Sequence, residues 1–357
     1  MTEKMKALRW YGRNDIRIDE VEVPKIMPGE VKIKVEWCGI CGSDLHEYTA
    51  GPIFIPKENP HPLTGVEAPV ILGHEFAGEV VEVAEDVEGF VVGDKVAVEP
   101  IVSCRACAQC NEGRYNLCPS LGFHGLAGGG GGLAEYTTFT ADMVHKLPEG
   151  MSTAEGALIE PLAVAVHAVR KGRFLQGETA AVFGAGPIGL STIAAAKAAG
   201  AEKVIAVEIS EARKKYAKEF GADVVLDPNE VDVSTKITEL TNSLGVDVSF
   251  ETTGVQAGYN SAVAATTREG RIVVVSIWES QIETNLNDLV LTEKEVIGTI
   301  AYRDVFPATM ALMADGRIEA KNMITSQIGL EEVIENGFDE LLANKNEHIK
   351  ILVNPSK

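Results

Sequence analysis

The chain has 357 residues, 45% hydrophobic and 24% charged, with 32 Lys and Arg against 52 Asp and Glu and a formal net charge of -20. That length exceeds what a single hydrophobic core usually serves, so two domains are expected. A surface so rich in negative charge repels nucleic acid and anionic lipid, which argues against both as partners and says nothing of the fold.

The opening residues, MTEKMKALRW, lack the apolar run of a secretory signal. The longest weakly polar stretch, residues 182–201 (VFGAGPIGLSTIAAAKAAGA), is long enough to span a bilayer, but its clustered glycines and Lys197 suit a strand, a turn and a helix better. A cytoplasmic protein with no membrane partner is therefore expected. In a reducing compartment, clustered cysteines serve as metal ligands more often than as disulfides.

In chain order, KALRWYGRNDIRIDEVEV, EVKIKVEWCG and EFAGEVVEVAEDVEGFVVGDKVAVEP are short alternating or β-branched runs separated by Gly, Pro and acidic turns. Such strands without a long helix predict a compact antiparallel fold or a partly open barrel. Irregular segments interrupt them at residues 49–69 and at GLAGGGGGLAEY, where five consecutive glycines, Gly128 to Gly132, are expected to make a surface loop. After about residue 155 strands and helices alternate. ETAAVFG, PIGLSTIAAAKAAG, KVIAVE, SEARKKYAKEFG and DVVL are followed by a polar helix around STKITELTNSLG, by VDVSFET, by a helix around QAGYNSAVAATT, and by RIVVVSIW. This is the pattern of a doubly wound parallel sheet with helices on both faces. Beyond about residue 300 the regularity falls, and the closing HIKILVNP shares the β-character of the first third. The expected division is an α/β protein in which about residues 1–158 and 301–357 form a β-rich domain and about 159–300 a doubly wound one.

AVFGAGPIGL places Gly184, Gly186 and Gly189 in G-x-G-x-x-G spacing. The spacing alone is common; its meaning comes from the apolar strand before it, the Ala-rich helix after it, and a further strand ending at Glu208. Gly184 permits the tight turn, Gly186 lets the backbone approach a pyrophosphate, and Gly189 lets the helix pack on the strand. Pro187 and Ile188 open that helix, whose N-terminus attracts phosphate charge. Glu208 stands where a carboxylate accepts hydrogen bonds from the adenosine ribose and repels the additional phosphate of NADP, so NAD is the expected cofactor, with nearby Arg213 able to modify the preference.

Two groups of residues read as metal sites. In CGICGSDLH and ILGHEFAG, Cys41 offers a thiolate and His74 an imidazole, and either Glu75 or Glu160 (the latter in ALIEPLAV) could supply a carboxylate. Three protein ligands on zinc leave a fourth position for water or substrate, as catalysis requires. Each residue also has a plainer reading: a small buried hydrophobe, a hydrogen-bonded structural histidine, a helix-start acid. Cys104, Cys107, Cys110 and Cys118 have C-x2-C-x2-C-x7-C spacing, and four thiolates close a tetrahedral shell with no place for substrate. A structural zinc that stabilises the lobe of about residues 103–119 is expected, with an iron–sulfur cluster or disulfides as alternatives.

Taken together and in this order, CGICGSDLH, GHEFAGEVVEV, the four-cysteine lobe, ALIEPLAV and AVFGAGPIGL resemble the zinc-dependent medium-chain alcohol and polyol dehydrogenases over essentially the whole chain. Within that family, GPIFIPKENPHPLT, GLAGGGGGLAEY, VVSIWE and AYRDVFPA are similar to its (R,R)-2,3-butanediol dehydrogenase branch. The resemblance implies a GroES-like catalytic domain with a Rossmann NAD-binding domain, one catalytic and one structural zinc per chain, and a homo-oligomer, either dimer or tetramer. It implies interconversion of a small secondary alcohol or vicinal diol and its ketone, with sorbitol, threonine or simple secondary alcohols as neighbouring substrates. Cys41, His74 and Glu160 match the catalytic zinc ligands, Glu75 the acid that approaches the metal when coordination rearranges, and Asp44 the carboxylate that orients the ligating imidazole. Ser43 matches the first hydroxyl of a proton relay and His46 its solvent end. A regulatory NAD-binding zinc protein without catalysis is the reading from another class, and the joint presence of these residues argues against it.

Overall fold

The computed structural model describes residues 3–357. The chain divides into two compact units: the residues up to Glu160 with Phe306–Ala314 and Ala320–Lys357, and Pro161–Val305 with Asp315–Glu319.

The first unit is built from β1 (Lys4–Gly12), β2 (Asp15–Glu22), β3 (Glu30–Gly39), β4 (Val70–Ile71), β5 (Glu75–Val83), β6 (Lys95–Val98), β7 (Ile101–Val102), β8 (Gly122–Phe123), β9 (Tyr136–Thr140) and β10 (Val144–Lys146). Its short helices are α1 (Gly42–Ala50), α2 (Ala108–Asn111) and α3 (Thr153–Gly156). The alternation in EVKIKVEWCG is that of a half-buried strand: Val31, Ile33 and Val35 of β3 face the core while Lys32 and Lys34 face away. Ile33 pairs with Val80 of β5 and with Thr137 of β9, so β3 lies at the centre of an antiparallel array. Trp10, Leu72, Phe76 and Leu133 fill the space beneath it.

The second unit opens with α4 (Ile159–Lys171), after whose Glu160 the division between units falls. Its strands are β11 (Thr179–Phe183), β12 (Lys203–Val207), β13 (Val224–Leu226), β14 (Val246–Glu251), β15 (Thr266–Val274) and β16 (Glu295–Gly298), alternating with α5 (Pro187–Ala198), α6 (Glu211–Glu219), α7 (Val233–Leu240), α8 (Gln256–Ala265) and α9 (Asn287–Val290). All its pairings are parallel, in the order β13-β12-β11-β14-β15-β16. The chain winds outward from β11 and then restarts at β14 on β11's other side, which makes a switch point at their carboxyl ends. The apolar run 182–201 resolves into the end of β11 and α5, a helix buried from Gly189 to Ala196. Among the described residues no helix is long and apolar enough to cross a membrane.

The chain then returns to the first unit with α10 (Phe306–Ala314), β17 (Ile324–Gly329), α11 (Glu340–Ala343) and β18 (Lys350–Asn354). β18 runs antiparallel to β3 and parallel to β17 in a sheet of order β10-β6-β5-β3-β18-β17.

Two local differences from the sequence reading have physical causes. The five glycines do not form a simple surface loop: Gly129 is exposed, but Gly131 and Gly132 are buried. A Cβ at Gly131 would lie 2.3 Å from the Leu72 carbonyl oxygen, and one at Gly132 would lie 2.6 Å from the Phe76 ring. The helix read through ATT stops at Ala265, because the β-branched Thr266 begins β15 and bonds Ser249 Oγ on the neighbouring strand at 2.7 Å.

Candidate active site and metal centres

Cys41 caps the N-terminus of α1 as the chain leaves β3. Its backbone N–H donates to Asp44 Oδ2 at 2.9 Å, which draws a fully buried carboxylate back against the start of its own helix. His74 follows Gly73, whose φ of +93 suits glycine and whose absent Cβ leaves room for Cys38 Sγ and Leu133. His74 Nδ1 stands 3.5 Å from Asp44 Oδ1, and neither atom has a hydrogen-bond partner. His74 Nε2 is 3.0 Å from Ser43 Oγ. Burial alone would depress the imidazolium, but the Asp44 carboxylate and the Cys41 thiolate outweigh it and raise the His74 pKa well above the ordinary value. His46, one turn after Ser43 on α1, is exposed.

Ligand atoms of Cys41, His74 and Glu75 lie within 4.8 Å of one another. A thiolate, an imidazole nitrogen and a buried carboxylate suit zinc and leave a coordination position open. The paired orphan atoms of His74 and Asp44 fit the same reading, since a ligating imidazole normally has its other nitrogen held by a carboxylate. Glu160 is outside that trio; it is buried in the first turn of α4.

Sequence reasoning missed Lys350. It lies almost wholly buried on β18 and places its ammonium 2.7 and 2.8 Å from the two oxygens of the fully buried Glu75, with a third bond of 3.2 Å to the Ile40 carbonyl. Burial works against the charged lysine, but Glu75, Cys41 and Glu160 together raise its pKa. A lysine within HIKILV was the one available signal, being the polar break in an apolar strand.

The four cysteines of the lobe converge, with their Sγ atoms within 4.8 Å of one another and none in a disulfide. Cys107 caps the short α2, and backbone N–H groups point at sulfur throughout: Cys107 to Cys104 at 3.2 Å, Cys110 to Cys107 at 3.4 Å, Cys104 to Cys118 at 3.3 Å. The N–H groups of Ala106 and Cys107 lower the Cys104 thiol to about 6, so a thiolate is accessible at neutral pH. Four convergent sulfurs with backbone N–H groups aimed at them fit a closed tetrahedral metal site.

In the second unit, Gly184 turns the chain at φ +94 between β11 and α5, and Gly186 caps α5 with Pro187 as its first residue and Ile188 next. Gly189 is required by contact, since a Cβ there would lie 2.0 Å from the Gly184 carbonyl oxygen. Glu208 is more committed than the sequence suggested. Its Oε2 accepts the Ala185 N–H at 2.7 Å, and its Oε1 accepts those of Ile209 and Ser210 at 2.8 Å each. Oε2 keeps a lone pair for a ribose hydroxyl, whereas Oε1 is filled by its two backbone donors. Arg213 Nη1 stands 3.9 Å from where a Cβ of Gly186 would be. Thr252 was also missed: its hydroxyl donates to the Phe183 carbonyl at 2.8 Å and fixes the turn from the β14 side of the switch point.

Residues 27–149 match the family model of the alcohol dehydrogenase GroES-like domain, and residues 187–315 that of zinc-binding dehydrogenases. The chain is 52% identical over 353 residues to the (R,R)-butanediol dehydrogenase of Bacillus subtilis, covering 99% of this chain and 100% of that one. The chain belongs to the zinc-binding alcohol dehydrogenase family. It is 44% identical to the (R,R)-butanediol dehydrogenase of Neisseria gonorrhoeae and 38% identical to the sorbitol dehydrogenase of Bacillus subtilis, in each case over 99% of this chain, with 100% and 98% of those proteins covered. The crystal structure of 2R,3R-butanediol dehydrogenase from Bacillus subtilis superposes with a TM-score of 0.94 at 51% identity, covering 98% of this chain and 99% of that one. As a family member the protein is a zinc- and NAD-dependent alcohol dehydrogenase with small-molecule alcohols as substrates, built from a GroES-like β-rich domain and a doubly wound one.

Proposed function

We propose that this enzyme interconverts (R,R)-2,3-butanediol and acetoin with NAD, the first unit being catalytic and the second nucleotide-binding. The observation that supports it most is the full-length 52% identity to an (R,R)-butanediol dehydrogenase, joined to an intact Cys41, Asp44 and His74 cluster. Cys41, His74 and Glu160 would hold the catalytic zinc, because both oxygens of Glu75 already accept from Lys350. When bound, zinc supplies Lewis-acid polarisation of the substrate oxygen and NAD a hydride acceptor.

The chain's own residues do the rest. Asp44, with Oδ1 3.5 Å from His74 Nδ1, is placed to orient that ring, and His74 would serve the zinc through its other nitrogen. Ser43 would accept the proton released by the alcohol while giving up its own hydroxyl proton, and His46, exposed at the next turn, would deliver a proton to water. The Glu75–Lys350 pair keeps a second carboxylate at the site without adding net charge. Cys104, Cys107, Cys110 and Cys118 would hold a second, structural zinc. Glu208 favours NAD over NADP by repelling a ribose phosphate. A homo-oligomer, dimer or tetramer, is supported by β16, the last strand of its sheet, which stands with exposed Leu286, Val290, Leu291 and Val296. A cytoplasmic location completes the reading.

The test is NADH formation with 2,3-butanediol stereoisomers, sorbitol, threonine and 2-propanol. The reading expects the highest kcat/KM for the (R,R) diol; sorbitol in first place would move the enzyme to the polyol branch, and no turnover at full zinc occupancy would favour a regulatory NAD-binding protein.

A further inference from the structure

The glycine segment after the cysteine lobe is tied to the backbone that carries His74. Gly125, at φ +100, packs so closely on that backbone that a Cβ would lie 2.2 Å from the Gly73 carbonyl oxygen. The same carbonyl accepts the Gly132 N–H at 2.7 Å, and the strap closes on itself through Gly125 N–H to the Gly130 carbonyl at 2.6 Å. Both ends of the strap therefore hold the peptide immediately before His74.

The strap in turn rests on His124. A Cβ at Gly130 would come within 2.6 Å of the His124 ring, and one at Gly128 within 2.6 Å of its Cα. That ring is 3% exposed, lies 4.7 Å from the Phe139 ring centroid and 5.9 Å from that of Phe76, and is tethered through Nε2 to Thr137 Oγ1 at 2.6 Å. Thr137 is on β9, which is paired to the central β3. We infer that His124 is a positioning residue for His74: its ring is the floor beneath the Gly125–Gly132 strap, and the strap holds the Gly73–His74 peptide so that the imidazole keeps its place beside Cys41 and Asp44. Burial lowers the His124 pKa to about 4, so the floor is neutral at ordinary pH and adds no charge near the site. The inference rests on the reading of His74 as a ligand of the catalytic zinc.

The test follows zinc release from the full-length enzyme to a chromophoric chelator. The phase lost in Cys41→Ala marks the catalytic metal, and the phase lost in Cys107→Ala marks the lobe. In His124→Ala the catalytic phase should quicken by about 10-fold to 100-fold, the range typical of lost support to a metal ligand, with the lobe phase unchanged. His124→Gln, which can keep a polar tip near Thr137, should restore most of the difference. Thr137→Val, nearly isosteric, carries the same test with a smaller effect if His124→Ala does not fold. Unchanged release from the catalytic site, or equal quickening of both phases, overturns the inference. A parent enzyme with no Cys41-dependent phase overturns the metal reading itself, and the inference with it.

Discussion

The residue that changes the picture most is Lys350. A buried ion pair gains little over a hydrophobic pair, but removing one partner strands the other charge in the interior. Lys350→Met should therefore destabilise the fold by about 3–5 kcal/mol, read from urea unfolding, whereas Lys350→Met combined with Glu75→Leu should recover much of it. Equal losses in the single and double variants would mean that the pair is not the cause. Cys41 and His74 could be read from the sequence as candidate ligands by their chemistry, and Asp44 only through the family resemblance, because spacing alone leaves each of them a plainer role. Lys350 could not be read, since it meets Glu75 only after β18 has returned across a separation of 275 residues. Glu208 was half legible: its place after β12 was read, but its bonds to Ala185, Ile209 and Ser210 depend on how the turn folds back. Glu208→Ala should accordingly weaken NAD binding and also lower stability, measured by cofactor titration and thermal melting, because it removes a ribose acceptor and leaves three backbone N–H donors without their acceptor.

Among the elements, the alternating second half was readable because its periods are strong. β11, α5 and β12 fall where the apolar runs and glycines place them, and the Ala-rich character of α5 follows from burial on nearly all sides. The glycine strap was misread because glycine runs carry no periodicity, and only the tertiary neighbours show which of them face a wall. Those neighbours order the substitutions. Gly132→Ala forces a methyl against Phe76 and should destabilise by about 1–3 kcal/mol. Gly129→Ala meets only Val66 at 3.4 Å and carries only the left-handed strain of φ +88, so it should lower Tm less. A larger Tm loss at Gly129 would show that the strap is held open rather than packed.

For the whole molecule, two buried histidines set an acid limit. Burial lowers His124 and His167 to about 4, with Arg303, Lys171 and Arg170 adding to the effect at His167. Between the unfolded value near 6.5 and about 4, the unfolded chain binds protons that the native state refuses. Their contribution is full above pH 6.5 and is lost as pH falls through that window, at about 1.4 kcal/mol per pH unit for each group. Unfolding free energies measured from pH 7 to pH 4 should show this slope, reduced in His124→Gln.

In the proposed function, metal binding divides between two sites, an open one at Cys41 and His74 and a closed one at the four cysteines. The most direct measurement is zinc content, activity and Tm of the parent, Cys41→Ser and Cys107→Ser enzymes side by side. The parent should hold about two zinc ions per chain, one in a three-ligand site and one in a four-ligand site. Cys41→Ser should lose turnover with Tm nearly unchanged, and Cys107→Ser should lose one zinc and several degrees of Tm while retaining activity in the fraction that stays folded. Exchange of those two outcomes would contradict that division.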